Sequence, residues 1–324
     1  MKAFYLRPAP GGTALEPREV PVPQPKPGEI VVRVRAASLN RGELLAAHGH
    51  YLLAEPRPAG GDCAGEVHAV GEGVTGLQPG ERVMGRARGC FAEYVAMAAE
   101  QALPVPQRLT WEQAAAVPLV FVTVYEILHL GGLAAGETLL VAGASSGVGV
   151  GCIQAGRVMG ARVIALSRSA QKLERLKALG LDAAIEAPAG RFAQQVLEAT
   201  GGRGADLGVN LVGGTIFPEL VRASANQGRI AIVGYVDRAT RSEIDLDAVH
   251  ARRLRIYGVS NANLTAAERA QATRGFAREL LPAFADGRIT PLVDRVFPFE
   301  ELPAAKAYVE SDAQVGKVVV RMQR

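Results

Sequence analysis

Thr138-Leu-Leu-Val-Ala-Gly143-Ala-Ser-Ser-Gly147-Val-Gly149-Val-Gly151 carries an apolar strand into a glycine- and serine-rich turn and then into a helix over residues 150–159. Glycines let a backbone approach a pyrophosphate closely, and a helix N-terminus adds free N–H donors and the positive end of a dipole. A glycine cluster alone is weak evidence. Here a strand precedes it, a helix follows, and a second strand opens at Arg162, which is the context the motif requires. Ser145, Ser146, Gly147 and Val148 are therefore candidate pyrophosphate contacts.

The end of the second strand bears on the choice of dinucleotide. An NAD site usually places an Asp or Glu there for the ribose hydroxyls. This chain has Ala165-Leu-Ser-Arg-Ser169 instead, followed by Lys172. A cation at that point pairs with a 2′-phosphate, and an arginine does so with bidentate geometry. The expected cofactor is NADPH, with Arg168 as the first contact, Lys172 as the second and Ser167 as a hydroxyl donor.

Outward from this turn, strands are expected over 139–142, 162–166, 183–185, 206–211, 229–233 and 254–258. Helical apolar spacing lies between them over 171–179, 193–199 and 218–225. Six strands with helical crossovers predict a doubly wound parallel sheet. The first hundred residues differ: Ile30-Val-Val-Arg-Val-Arg-Ala36 alternates as a half-buried strand does, and Gly60 to Gly71, 77–84 and 92–97 also read as strand regions. Residues 266–285 predict one long helix, and 294–299 and 315–320 return to strand character.

The composition bounds the function. In 324 residues, 48% hydrophobic and 21% charged, there is ample material for a core. Three scattered cysteines exclude a disulfide framework and a CxxC zinc cluster. The charge of +4 comes from 30 Arg and 6 Lys against 32 acids, without a basic run, so nucleic-acid binding is not suggested. The opening residues lack the apolar stretch of a signal peptide, and 138–156 is too rich in glycine and polar residues for a membrane span. A soluble, cytoplasmic protein is expected.

Taken together, the chain resembles the zinc-independent quinone oxidoreductases of the medium-chain dehydrogenase/reductase superfamily over nearly its full length. The blocks that carry the resemblance are Ser38-Leu-Asn40, Gly49-His-Tyr51, Gly61-Asp-Cys-Ala-Gly65 through Val70-Gly71, Gly80-Glu-Arg-Val83, Gly143 to Gly149, Gly287-Arg-Ile-Thr-Pro291 and Gly316-Lys-Val-Val-Val320. The resemblance implies an α/β protein. A GroES-like, β-rich catalytic domain (1–118, completed by 262–324) would accompany a Rossmann domain (119–261). It further implies a homodimer joined by edge strands of the Rossmann sheets, at or near 229–233 and 254–258.

Zinc-dependent relatives need a thiolate, an imidazole and a second thiolate around an open metal position. The matching positions here are Asn40, Gly61 and the neighbourhood of Leu119, so no metal is expected. His48 and His50 read as ordinary loop residues, and Cys63 as a small packed thiol. A quinone suits such a site because it is already a good hydride acceptor, leaving proximity and orientation to the protein.

The resemblance places Asn40 and Tyr51 beside the nicotinamide as the candidate catalytic pair. Asn40 would donate to a carbonyl or ribose oxygen, and Tyr51 would stack on, or hydrogen-bond to, the acceptor. Glu43 stands where an Asp is more usual. Thr123 and Tyr125 are candidates to touch the cofactor. Asn210, Leu211 and Gly213, Gly234 and Tyr235, and Ser260 and Asn261 end successive strands on the side where ligands bind. Two alternatives accompany the quinone reading. One is an NADPH-dependent enoyl or enone reductase of the same superfamily, with Tyr51 as its acid. The other is an NADPH- or RNA-binding protein with little turnover.

Overall fold

The computed structural model describes residues 1–10, 12–44, 55–261 and 264–323. Tyr51, His48 and His50 lie outside the described residues. The chain divides into two compact units, Met1–Val122 with Thr265–Arg324, and Thr123–Leu264. Among the described residues no helix is long and apolar enough to cross a membrane.

The first unit is built from β1 (Lys2–Ala9), β2 (Gly12–Glu19), β3 (Glu29–Ser38), β4 (Arg57–Pro58), β5 (Asp62–Val70), β6 (Arg82–Arg86), β7 (Tyr94–Ala98) and β8 (Ala102–Pro104). The second contains β9 (Thr138–Ala142), β10 (Arg162–Ser167), β11 (Ala183–Glu186), β12 (Ala205–Asn210), β13 (Ser224–Ile232) and β14 (Arg255–Gly258). The chain then returns to the first unit with β15 (Val293–Pro298) and β16 (Lys317–Arg321).

In the first unit, β2-β1-β4 form a small sheet, and β15-β16-β3-β5-β6-β8 form a larger one in which β7 also pairs with β3. β3 is the centre of that sheet. Its apolar residues Ile30, Val31, Val32, Val34, Ala36 and Ala37 are all buried, which fits a strand with neighbours on both sides. Antiparallel pairing sets Ser38 opposite Asp62 on β5 and opposite Val319 on β16. The start of β5 and the middle of β16, far apart in sequence, thereby meet at the end of β3.

The second unit is a parallel sheet in the order β11-β10-β9-β12-β13-β14. That is the doubly wound dinucleotide-binding order, whose strand direction of winding reverses between β9 and β12. β9 is buried at every residue, as a strand covered on both faces must be. A core of Leu140, Ile164, Ile185, Val196, Leu220 and Ile230 lies under its helices.

Two sequence expectations are corrected. The long helix over 266–285 is two helices, Ala266–Glu279 and Leu281–Ala285. Pro282 has no N–H to continue the first ladder. β13 begins five residues before position 229, after a register shift between Ala205 and Leu207 on β12. Helix Pro118–Gly131 reads poorly in sequence because it is apolar nearly all round, without the one-sided stripe of a surface helix.

Candidate functional site

In the second unit, Gly143 takes φ +87° at the end of β9, a conformation that favours glycine. Its N–H and that of Ala144 donate to Leu166 O on β10, and Ser146 N–H donates to Gly143 O, closing the turn. Ser146 caps helix Gly147–Val158, its Oγ accepting from Gly149 N–H at 3.0 Å. A Cβ on Gly149 would meet Gly143 O at 2.5 Å, so only glycine lets this helix start so close to the turn. The first helical N–H groups, those of Gly147 and Val148, have no partner within the helix. With Ser145 and Ser146 they are half-exposed. This cradle matches the donor set that a pyrophosphate needs.

Ser167 ends β10 and Arg168 follows it, exposed and in no ion pair among the described residues. Lys172 is half-buried in the first turn of helix Ala170–Leu176, its backbone N–H donating to Ser169 Oγ at 3.3 Å. An acid missed in the sequence also comes here. Register pairs Ser167 with Glu186 at the end of β11, and Glu186 Oε1 accepts from Ala170 N–H at 3.1 Å. That carboxylate is engaged by the helix start, one residue beyond Ser169.

Across the winding reversal, Asn210 at the end of β12 is buried and fully committed. Its Oδ1 accepts from Val212 and Gly213 N–H and its Nδ2 donates to Gly213 O. Asn210 thus braces the turn that follows β12. Leu211 donates its N–H to Ala142 O and packs beside Gly143. Gly234 follows β13 within reach of Leu211 O, where a Cβ would stand 3.0 Å away. Tyr235 accepts from Arg238 N–H through its carbonyl. Asn261 and Thr123, 138 residues apart, are joined by an Nδ2–H to Oγ1 hydrogen bond of 2.8 Å.

The first unit holds a second constellation. Asn40, 7% exposed, donates from Nδ2 to Asp62 Oδ2 at 2.9 Å and to Glu43 Oε1 at 3.1 Å, while its Oδ1 accepts from Lys317 Nζ at 2.5 Å. Lys317 also donates to Leu39 O, and Asp62 Oδ1 accepts from Leu119 N–H at 3.2 Å. Asn40 therefore has both amide hydrogens engaged inside the unit. Its side chain links Lys317 to Asp62 and Glu43. Burial depresses the Lys317 ammonium against the opposing charges of Asp62 and Glu43.

Glu43 is perturbed the other way. Burial and the neighbouring Asp62 charge push its carboxyl up to about 7, against the countering Lys317, Asn40 and Arg86. Its Oε2 is buried without a hydrogen-bond partner. Glu43 lines a cavity of about 360 Å³ together with Gly60, Gly61, Arg57, Arg86, Arg88 and Arg269. Glu43 and Lys317 are 274 positions apart, which is why no local motif announces their association.

Against a zinc site, the donor set fails. Asn40 offers an amide, Gly61 nothing and Leu119 only a backbone N–H, already bonded to Asp62. Among the described residues no group of three His, Cys, Asp or Glu side chains could hold a metal ion. Cys63 and Cys90 are buried free thiols in the first unit's core.

With this geometry established, comparisons with known proteins are informative. The family model described as the alcohol dehydrogenase GroES-like domain matches residues 26–107, and that of the zinc-binding dehydrogenases matches residues 147–277. An acryloyl-coenzyme A reductase of Metallosphaera sedula is 30% identical over 340 residues, covering 94% of this chain and 96% of that protein. A solved NAD-dependent alcohol dehydrogenase is 32% identical with a TM-score of 0.86, covering all of both chains. A mycobacterial protein solved with NADPH is 28% identical with a TM-score of 0.88, covering 99% of each. Other relatives are far longer. The chain is 32% identical to the polyketide synthase protein NorB of Streptomyces orinoci over 98% of its own length but spans only 14% of that protein.

Proposed function

Because the chain belongs to the medium-chain dehydrogenase/reductase superfamily, we propose that it is a zinc-independent reductase that uses NADPH to reduce a quinone. The observation that carries the coenzyme is Arg168, exposed at the end of β10 beside the Gly143–Ser146 turn, where the one acid brought near by register, Glu186, is engaged by Ala170 N–H. Bound there, NADPH would supply the hydride. Ser145, Ser146, Gly147 and Val148 hold the pyrophosphate, Arg168 meets the 2′-phosphate, and Ser167 and Lys172 support it. Asn210 keeps the neighbouring turn in shape, and Leu211, Gly234, Tyr235, Thr123 and Asn261 line the strand ends where the rest of the coenzyme lies.

The quinone follows from the first unit's chemistry. Asn40, Gly61 and Leu119 stand at the positions where the resemblance puts the ligands of zinc relatives, and an acceptor that is already electron-poor needs the least electrophilic help there. A second reading, reduction of an enoyl thioester, is favoured by the proton that Glu43 retains near neutrality and by the likeness to an acryloyl-coenzyme A reductase. Calorimetric titration with NADPH and NADH tests the coenzyme. Rates with 1,4-benzoquinone, an enone and a crotonyl thioester then rank the acceptors. Failure to bind either coenzyme overturns the reading.

The same reading includes a homodimer. β14 is the outer strand of its sheet, paired only with β13, and its Ile256 is 39% exposed. An open edge of this kind is a template for pairing with a second copy.

A further inference from the structure

We propose that Asp237 is a positioning residue for the coenzyme. It locks the turn after β12 to the turn after β13, and so holds in place the strand ends that take the nicotinamide half of NADPH. This rests on the NADPH reading above and adds to it a residue with a stated task. Every residue involved belongs to the second unit.

Two strand–glycine–helix turns flank the winding reversal, and they differ in one respect. After β9, Gly147 and Val148 present N–H groups that have no partner within their helix. After β12, Gly213 leads into the short turn Gly214–Ile216 and the helix Phe217–Ala223, and no neighbouring side chain caps that start. Here the chain supplies its own anion from 22 positions away. Thr215 N–H donates to Asp237 Oδ2 at 2.9 Å, and the Thr215 hydroxyl donates to the same oxygen. Asp237 Oδ1 accepts from Ala239 N–H at 2.8 Å. A carboxylate at the start of a helix satisfies N–H groups that would otherwise lack a partner.

The glycines fit this carboxylate. Gly213 takes φ +133°, and the place of a Cβ on it is filled by the Asp237 carboxylate. The place of a Cβ on Gly214 is filled by the carbonyl of Arg241. Main-chain bonds run between the same two turns. Asp237 N–H donates to Val212 O at 2.9 Å, Gly214 N–H donates to Ala239 O at 2.8 Å, and Ser242 Oγ donates to Gly214 O at 2.8 Å. Arg238, at φ +63°, donates its N–H to Tyr235 O and closes the tight turn in which Asp237 sits.

The clamped turn bears directly on the pyrophosphate turn. Leu211 N–H donates to Ala142 O at 3.2 Å, and a Cβ on Gly143 would stand 3.0 Å from Leu211 Cβ and 3.5 Å from Val212 Cγ2. A doubly wound sheet takes a dinucleotide across its winding reversal, with the adenosine ribose at the end of the second strand, which is β10 here. The nicotinamide half then falls to the ends of β12 and β13, the two strands whose turns Asp237 joins. Removing the carboxylate strands the two Thr215 donors and the Ala239 N–H. The turn then has to be ordered when the coenzyme binds, and that ordering weakens binding.

Calorimetry with two probes tests this on the full-length protein. NADPH needs both halves of the crevice, whereas 2′,5′-ADP needs only the adenosine half. Asp237→Ala should bind NADPH about tenfold more weakly than wild type and 2′,5′-ADP within about twofold of it. Asp237→Asn, which keeps one acceptor oxygen, should lie between. A merely structural role would weaken both probes together, so equal weakening of the two in both variants overturns the proposal. Unchanged NADPH affinity in both variants overturns it as well. Hydrogen exchange over residues 211–217 of the free protein reads the clamp without any ligand. Exchange there should quicken in Asp237→Ala, and exchange as slow as in wild type overturns the clamp. Wild-type protein that binds neither probe overturns the coenzyme reading and this proposal with it. Wild-type protein that binds both, with both variants unchanged, overturns this proposal alone.

Discussion

The place that a Cβ on Gly61 would take is filled by Glu43 Oε1. Glu43 stands in the short helix Arg41–Leu44 and Gly61 just before β5, yet each sets the other's limits. A longer side chain at 43 reaches into the space that glycine at 61 leaves open.

Gly61→Ala should therefore disturb the site without disturbing the fold. The added methyl drives the Glu43 carboxyl off Asn40, and one hydrogen bond to a charged or acidic group is worth about 1.5–3 kcal/mol. We expect a fall of at least tenfold in kcat with NADPH affinity intact, because the coenzyme turn lies in the other unit. Steady-state kinetics beside a coenzyme titration measure both. Equal losses of kcat and NADPH affinity count against this account.

The raised carboxyl of Glu43 also has a consequence for stability. An unfolded glutamate has its ordinary value of 4.5, and the folded one lies at about 7. Because the folded state binds the proton more tightly, this contribution is fully present below pH 4.5 and is lost as pH rises through 7. Its size is on the order of 3 kcal/mol, from about 1.4 kcal/mol per pH unit. Glu43→Gln, which keeps the bond from Asn40 but cannot ionise, should therefore be no more stable than wild type at pH 5 and clearly more stable at pH 8. Urea midpoints at the two pH values check this, and parallel curves would count against it.

What was legible in the sequence was whatever rests on neighbours in the chain. The six strands and crossovers of the second unit could be read because apolar runs and turn residues are local signals, and the Gly143–Gly149 turn is contiguous. That Ser167 and Arg168 stand at the end of β10 is legible for the same reason. The Lys317–Asn40–Glu43 chain was not, since a lysine at the start of the last strand is joined to an asparagine 277 positions earlier only by the pairing of β16 with β3. The same pairing turns the amide hydrogens of Asn40 to Asp62 and Glu43, which no neighbour in the chain announces. Glu186 escaped notice because it reaches Ala170 through sheet register, with no motif to mark it.

Arg168→Ala tests the coenzyme directly. Arg168 has no partner among the described residues whose loss would unfold the unit, so its removal should act on binding alone. A charge-assisted pair with a 2′-phosphate is worth about 1.5–3 kcal/mol. KM for NADPH should rise by roughly ten- to a hundredfold, and KM for NADH should change little. An unchanged ratio of the two would remove Arg168 from the site.

The second unit's stability should depend on Arg229 in a way separable from its chemistry. Arg229, its side chain 7% exposed, makes a two-point pair with Glu137 at 2.7 and 2.9 Å, and it also donates to the carbonyls of Gly131, Gly132 and Asp206. One guanidinium thus ties β13 to the end of helix Pro118–Gly131 and to the residue before β9. Burial pulls the Glu137 carboxyl up, but the Arg229 hydrogen bonds outweigh it and hold it below the usual range. A carboxyl depressed in this way stabilises the fold above its unfolded value of 4.5, and the contribution is lost as pH falls through its lower folded value. Arg229→Met should cost about 3 kcal/mol, since it leaves a half-buried carboxylate and three carbonyls without their donor. Arg229→Met with Glu137→Met should recover part of that loss, because the stranded charge is gone as well. The single variant should also lose less stability than wild type between pH 5 and pH 3. Thermal unfolding at those pH values, with coenzyme affinity as a control for the turn, decides between this brace and a merely peripheral ion pair, for which the single substitution would shift the midpoint by less than a degree or two.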